Sequence, residues 1–282
     1  MVRTVVSGIC GRTGMLVAKE LAAADGVELV GGVEASGHAS VGRKVVDVCG
    51  AGSPDGLVVG ALSDLDPDAF DVLVDFSVPE QSRLCAEFAA AAGTGLVVAT
   101  TGLTETQTDI VRAASSRAAV VLASNTSVGA NVLFALLGRA AAALGEDFDI
   151  EIVEAHHRGK RDAPSGTALA AADILARARG KNSDAVVVSG RSGPNAVRNR
   201  GEIGVHSVRG GSIAGRHTIY FLSSLETLAL EHVALSREAF AVGAVRAARF
   251  AAVSEPGLYD MLDVLGLRDA ADREGSEGNA GP

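Results

Sequence analysis

The stretch Thr4-Val5-Val6-Ser7-Gly8-Ile9-Cys10-Gly11-Arg12-Thr13-Gly14 decides the fold. A short run of β-branched residues ends in a glycine loop of the form G-x-x-G-x-x-G. Met15 to Ala24 follows with helical composition, so the segment reads as strand, tight turn, helix. Val27 to Val33 is a second strand, and Glu34 comes directly after it, 20 positions beyond Gly14. This is a β-α-β unit with the marks of a dinucleotide site. Glycines let the backbone approach a pyrophosphate, the helix N-terminus offers free N–H groups and a positive partial charge, and a distal carboxylate accepts from ribose hydroxyls. The plainer alternative is a glycine loop that only permits close strand–helix packing.

The alternation continues down the chain. Leu57–Val59, Val72–Phe76, Gly95–Ala99 and Val120–Ala123 read as strands, with helices over Glu80–Ala92 and Glu105–Arg117. Strands and helices alternating at this spacing predict a Rossmann-like, doubly wound parallel sheet. Two polar loops, Ala99-Thr100-Thr101 and Ser124-Asn125-Thr126-Ser127, follow strands of that sheet, where ligand crevices form. Asn131–Leu144 is a long helix that leaves the sheet. Beyond it the texture changes. Strands over Ile150–Ala155, Ala185–Ser189, Ile203–Val208, His217–Leu222 and Thr227–His232 are accompanied by one helix, Gly166–Arg179. This predicts a second, α+β domain with a mixed, open sheet. Glu238–Val253 is again helical and is expected to return to the first domain. The expected division is 1–127 with 238–268 for the dinucleotide domain, 128–237 for substrate binding and oligomerisation, and a disordered tail over 269–282, where no apolar period persists.

Composition narrows the function. The 282 residues are 48% apolar but contain no Trp, eight Phe and two Tyr, so aliphatic residues build the core. A net charge of −9 argues against nucleic acid as a partner. Three cysteines, Cys10, Cys49 and Cys85, lack metal-ligand spacing and point to a reduced, cytoplasmic protein without a metal site. No apolar run reaches the ~18 residues of a membrane span, and the N-terminal run is too short for a signal peptide.

The chemistry concentrates in Glu154-Ala155-His156-His157-Arg158-Gly159-Lys160-Arg161-Asp162-Ala163-Pro164-Ser165-Gly166-Thr167. Histidine titrates near neutrality and lysine donates protons. A Ser-Gly-Thr turn opening a helix supplies hydroxyls and N–H groups for an anion. Such a segment can bind a carboxylate and deliver a proton beside it. The bland alternative is a charged surface loop with incidental histidines. Adjacent histidines on an extended segment point to opposite sides, which disfavours a shared metal. His38, His206, His217 and His232 read as structural or exposed, and Arg209 as an oligomer or anion contact.

Together these residues resemble the 4-hydroxy-tetrahydrodipicolinate reductase (dihydrodipicolinate reductase) family. The resemblance runs from Val5 to about Leu267. It rests on the glycine loop with Arg12, Val74-Asp75-Phe76-Ser77-Val78-Pro79, Thr100-Thr101-Gly102, Ser124 to Asn131, and above all His156-His157-x-x-Lys160-x-Asp162-Ala163-Pro164-Ser165-Gly166-Thr167. Gly201-Glu202-Ile203-Gly204, Val208-Arg209-Gly210-Gly211 and Phe240-Ala241-x-Gly243-Ala244 agree with it. The resemblance implies reduction of a small cyclic dicarboxylate by NADH and/or NADPH, in lysine and diaminopimelate biosynthesis, by a homotetramer. It implies pyrophosphate contacts from Gly8, Ile9, Cys10, Gly11, Arg12 and Thr13, ribose binding by Glu34, and a nicotinamide lining from Ala99, Thr100, Thr101 and Ser124 through Ser127. It makes His156 the proton donor and Lys160 a second one, with His157, Gly166 and Thr167 on the substrate. The chain departs from the family at Ala35, where a basic residue is common, at Thr126, where an aromatic is common, and at Leu222-Ser223-Ser224-Leu225-Glu226. Those departures leave open an NAD(P)H-dependent reductase of a related cyclic imine or dicarboxylate; a non-catalytic cofactor-binding regulator is a third reading.

Overall fold

A computed structural model of the chain describes residues 1–268. The expected tail over 269–282 lies outside the described residues. Two compact units form. One is built from Met1–Val128 together with residues 237–268, the other from Gly129–Ser236.

The first unit holds a seven-stranded, wholly parallel sheet. Its strands are β1 (Val2–Ser7), β2 (Val27–Val33), β3 (Leu57–Val59), β4 (Val72–Asp75), β5 (Gly95–Val98), β6 (Ala119–Leu122) and β12 (Gly257–Tyr259), in the order β12-β6-β5-β4-β1-β2-β3. The order reverses between β1 and β4, the position at which ligand crevices open in such sheets. Helices α1 (Gly14–Ala23) and α8 (Glu238–Ala251) cover one face, burying Val17, Leu21, Ala244 and Ala248 against Val6, Val74 and Val97. Helices α3 (Pro79–Ala92) and α4 (Glu105–Ala114) cover the other, over Val5, Leu73, Leu96 and Val98. Both faces are covered, which is why these strands read as unbroken apolar runs rather than alternating ones. Local chemistry sets the helix starts: Pro79 occupies the first turn of α3, and Thr104 with Gln107 forms a capping box on α4.

The second unit has a five-stranded mixed sheet of β7 (Asp149–His156), β8 (Val187–Ser189), β9 (Ile203–Arg209), β10 (Gly215–Leu222) and β11 (Thr227–Ala234), ordered β11-β10-β7-β9-β8. β11, β10 and β7 are antiparallel neighbours; β9 runs parallel to β7 and β8. Helices α5 (Val128–Leu144) and α6 (Gly166–Ala178) lie on one face, over Ile150, Ile152, Ile203, Val205, Ile219 and Phe221. The doubly wound sheet and the separate mixed sheet both agree with the sequence reading.

Several elements differ from it. The chain opening the expected Ala185–Ser189 strand is instead a one-turn helix, α7 (Ser183–Val186), because the Asn182 side chain accepts the Asp184 N–H and starts a turn. Short α2 (Val45–Cys49), edge strand β12 and α9 (Met261–Val264) carry too little periodicity to be read. Ile219 and Phe221 of β10 are fully buried in their own unit rather than lying open on the sheet. They pair with Ile152 and Ile150, so strand alternation turns them toward α5 and α6. Finally, Val128–Asp147 is long and apolar enough by length and composition to match a membrane span, which the sequence reading does not expect. Leu133, Phe134, Leu137 and Ala141 of that helix are buried in the core of the second unit.

Candidate active site

The glycine loop closes on itself. The Gly11 N–H donates to the Gly8 carbonyl at 2.9 Å, and the Gly8 N–H donates to the end of β2 at Val33. A Cβ on Gly14 would stand 2.0 Å from the Gly8 carbonyl oxygen, and one on Gly8, at φ +74, would stand 2.7 Å from the Phe76 carbonyl oxygen. Neither position tolerates a side chain, and the bare backbone faces a cavity of about 390 Å³. Its lining includes Gly8, Cys10, Gly11, Glu34, Ala35 and His38. Glu34 is held there by N–H donors from Cys10 at 3.0 Å and Ala35 at 3.1 Å. Ile9 is fully buried under the loop, while Arg12 is exposed at its rim and Thr13 precedes α1. A bare-backbone loop on a helix N-terminus, with a carboxylate at the end of the next strand, fits a dinucleotide.

The other expected cofactor loops are organised by a residue whose role the sequence did not reveal. Asp75, at the end of β4, is fully buried. Its carboxylate accepts hydroxyls from Ser77, from Ser82 at 2.5 Å and from Thr100 at 2.8 Å. Burial raises the Asp75 carboxyl above the usual carboxylate range, and the hydroxyls work against that. Thr100 in turn accepts the Ser77 N–H at 3.0 Å, so the loops after β4 and β5 share one anchor. Thr100 is buried beside Ala99, whereas Thr101 is exposed. In the next loop Ser124 is exposed, the Asn125 side chain accepts the Ser127 N–H at 2.9 Å, and Thr126 donates to the Phe240 carbonyl of α8 at 2.7 Å. The threonine that stands where an aromatic is common therefore ties its loop to α8.

In the second unit the charged loop follows β7. Glu154 and His156, two residues apart, share a strand face, and both are buried. His156 Nδ1 lies 2.6 Å from Glu154 Oε2. Arg209 on β9 grips the same carboxylate with both terminal nitrogens, at 2.8 and 2.7 Å. Arg209 Nη2 also donates to the Asp162 carbonyl at 2.7 Å. Burial alone would raise the Glu154 carboxyl, but Arg209, Ser207 and His156 outweigh it and hold it down to about 2. Burial lowers the His156 imidazole below its ordinary value; Glu154 opposes this, and Lys160 and Arg209 reinforce it.

Lys160 pairs with Asp162 at 2.9 Å. The His157 backbone N–H donates to the Ile213 carbonyl at 2.8 Å. Ser165 caps α6, accepting the Ala168 N–H, while its own N–H donates to Glu154. Gly166 and Thr167 form the first turn of that 13-residue helix. His217, taken from the sequence as structural or exposed, is buried against this cluster. Its ring packs edge-on against His156 with centroids 5.2 Å apart, and Nε2 meets the Ser165 hydroxyl at 3.1 Å. Burial, with the neighbouring His156, drops its imidazole to about 4, so it is uncharged at neutrality. Strand alternation in β7 was the signal for Glu154; only the sheet register could have revealed His217 and Arg209. Among the described residues, no group of three His, Cys, Asp or Glu side chains is placed to hold a metal.

A doubly wound sheet with a dinucleotide-fitting glycine loop, joined in sequence to a mixed-sheet unit bearing a buried Glu–His pair, defines a pyridine-nucleotide-dependent reductase. Family models for the N-terminal part of dihydrodipicolinate reductase match residues 2–126, and for its C-terminal part residues 129–265. The chain belongs to the dihydrodipicolinate reductase family. It is 43% identical over 268 residues to the 4-hydroxy-tetrahydrodipicolinate reductase of Syntrophobacter fumaroxidans, covering 95% of this chain and 100% of that one. It is 46% identical to the enzyme of that name from Anaeromyxobacter sp., covering 96% and 100%. In fold it is similar to a dipicolinate-bound dihydrodipicolinate reductase from Paenisporosarcina sp. (TM-score 0.72, 24% identity, 93% and 98% covered) and to a probable dehydrogenase from Thermotoga maritima (TM-score 0.66, 13% identity, 94% and 93% covered).

Proposed function

We propose that this chain reduces 4-hydroxy-tetrahydrodipicolinate to tetrahydrodipicolinate, a cytoplasmic step of lysine and diaminopimelate biosynthesis. The observation that carries it is the buried Glu154–His156 pair, followed within four residues by Lys160 and then by the capped start of α6. A bound NADH or NADPH, held by Gly8 through Thr13 and Glu34, supplies the hydride when present. The overall conversion consumes one hydride and one proton and releases one water. This chain's own residues handle the anion and the proton. Lys160, His157 and the Gly166 and Thr167 N–H groups hold the two carboxylates. His156 delivers the proton from Nε2, the nitrogen that Glu154 leaves open, and Lys160 is the second donor. Ala99 to Thr101 and Ser124 to Ser127 line the nicotinamide side.

The departures from the family pattern are absorbed locally. Thr126 bonds to α8, and the Ser223–Glu226 turn closes through the Ser223 hydroxyl and the Glu226 carbonyl. Neither involves the Glu154–His156–Arg209 cluster, which favours the family's substrate over a related cyclic imine. The test is oxidation of NADH and NADPH with the freshly made condensation product of pyruvate and aspartate semialdehyde. Turnover supports the reading, and its absence, with turnover of another cyclic imine, replaces it.

Cofactor choice rests on Glu34 and exposed Ala35. The carboxylate accepts from bare ribose hydroxyls and repels a 2′-phosphate, and Ala35 offers no compensating cation. NADH is therefore expected to serve at least as well as NADPH. Ala35→Arg is expected to shift the kcat/KM ratio toward NADPH by about tenfold, the worth of one charge-assisted bond of ~1.5 kcal/mol. A strong preference for NADPH in the unmodified enzyme would show that another cation reaches the phosphate.

A homotetramer through the second unit is the expected assembly. Both helices lie on one face of its sheet, whereas Val153, Tyr220 and Ala229 alternate to the other. Val233, 43% exposed, and Leu235, 91% exposed, add apolar surface at the end of β11. Light scattering at micromolar concentration is expected to give four times the chain mass; a monomer there rules this assembly out.

A further inference from the structure

Glu154 is more heavily engaged than a simple partner for His156 needs to be. Its two oxygens take His156 Nδ1, both Arg209 nitrogens and the Ser165 N–H, and the carboxylate is wholly buried. The Nδ1 contact at 2.6 Å fixes the tautomer: the hydrogen sits on Nδ1, directed at Glu154, and Nε2 is left as the exchangeable atom. Nε2 lies beside Gly215, 3.2 Å from where a Cβ would stand, so no side chain of that residue fills the space next to it.

The charges around the ring balance. Glu154 from β7 is matched by Arg209 from β9, and Lys160 from the following loop is matched by Asp162. His217 from β10, the other ring packed on His156, is uncharged at neutral pH. A carboxylate alone beside a histidine favours the imidazolium. Here the guanidinium cancels that carboxylate, so a proton on His156 would be a net positive charge, buried, that no side chain answers.

We propose that Glu154 and Arg209 are a positioning pair that holds His156 as a neutral Nδ1–H tautomer in the empty site, so that the histidine takes its catalytic proton onto Nε2 together with the dianionic ligand. This rests on the reading of the site as one for a cyclic dicarboxylate. Two carboxylates bring two negative charges to a cluster whose own charges already cancel, Lys160 being matched by Asp162. That excess pays for the imidazolium, and the proton comes from solvent as the ligand binds. The acid is then charged only when there is something to protonate.

The test is calorimetry of pyridine-2,6-dicarboxylate binding to the NADH-loaded enzyme at pH 7.5, in two buffers of different ionisation heat. Binding is expected to take up ~one proton. Arg209→Met leaves Glu154 uncompensated. His156 is then charged beforehand, so uptake is expected to fall at least twofold and the alkaline limb of kcat/KM to move to higher pH. Arg209→Lys is expected to restore both in part. Glu154→Gln removes the anion and is expected to move that limb the opposite way, to lower pH. This variant carries the test if Arg209→Met does not fold. Binding without proton uptake in the unmodified enzyme overturns the proposal and leaves the dicarboxylate reading intact. Weaker binding in Arg209→Met with uptake and limb unchanged also overturns it, since a structural role alone would do that. No binding of the dicarboxylate at all overturns both.

Discussion

His156→Ala is expected to lower kcat by about 10²-fold or more at neutral pH, the usual contribution of a positioned general acid. The imidazole is buried, its Nδ1 is fixed on Glu154, and its Nε2 is the atom left to exchange a proton. Alanine removes the donor and leaves Glu154 still satisfied by Arg209 and the Ser165 N–H, so the loss reports on proton transfer rather than on a collapsed site. Dissociation of NADH is expected to stay near its unmodified value, because the glycine loop and Glu34 belong to the other unit. Lys160→Ala is expected to cost a similar factor and to raise KM as well, since Lys160 also meets a carboxylate. Its present partner, Asp162, is 57% exposed, so losing the pair costs little stability. Steady-state kinetics with both substrates varied checks this. Near-normal turnover in either variant would remove that residue from the proton path.

The contrast between the two units shows what a sequence can and cannot disclose. The glycine loop, the strand before it and the acid after β2 are contiguous in sequence, and sterics alone dictate glycine at positions 8 and 14. The parallel sheet was legible for the same reason: its strands are buried on both faces and stand out as short aliphatic runs. The cluster around His156 is different. Glu154 could be found by alternation along β7, but Arg209 and His217 enter from β9 and β10, 53 and 61 positions beyond His156 in sequence. Only the pairings His156 with Arg209 and Glu154 with His217 bring them together. The phase of β10 was equally hidden. Ile219 and Phe221 alternate with Thr218 and Tyr220, but polar His217 shares their face and apolar Leu222 lies on the other, so the buried face could not be assigned until the helices were placed. Asp75 was visible only as a polar residue ending an apolar strand; its role as the shared anchor of two loops depends on hydroxyls from Ser77, Ser82 and Thr100.

Gly14→Ala is expected to weaken NADH binding by about 10²-fold. Gly14 is the first residue of α1, and a Cβ there would stand 2.0 Å from the Gly8 carbonyl oxygen, far inside any real contact. The obstacle is backbone, so no side chain can swing aside. Either the Gly8–Gly11 turn opens or α1 backs away from the sheet. Both movements carry the loop N–H groups off the pyrophosphate. Losing about two hydrogen bonds to a charged group, at ~1.5 kcal/mol each, gives roughly that factor. Overpacking adds a cost of ~1–3 kcal/mol in stability, read as a drop of several degrees in the melting temperature. Gly138→Ala provides the contrast. It sits in mid-helix α5, where a Cβ would meet only the Ile174 Cγ2 at 3.8 Å. That substitution is expected to leave NADH binding alone and to gain up to ~1 kcal/mol from helix propensity. Fluorescence titration of NADH with both variants separates the cases. An unchanged affinity in Gly14→Ala would mean that the glycine loop serves only to pack α1 on the sheet, and that the pyrophosphate binds elsewhere.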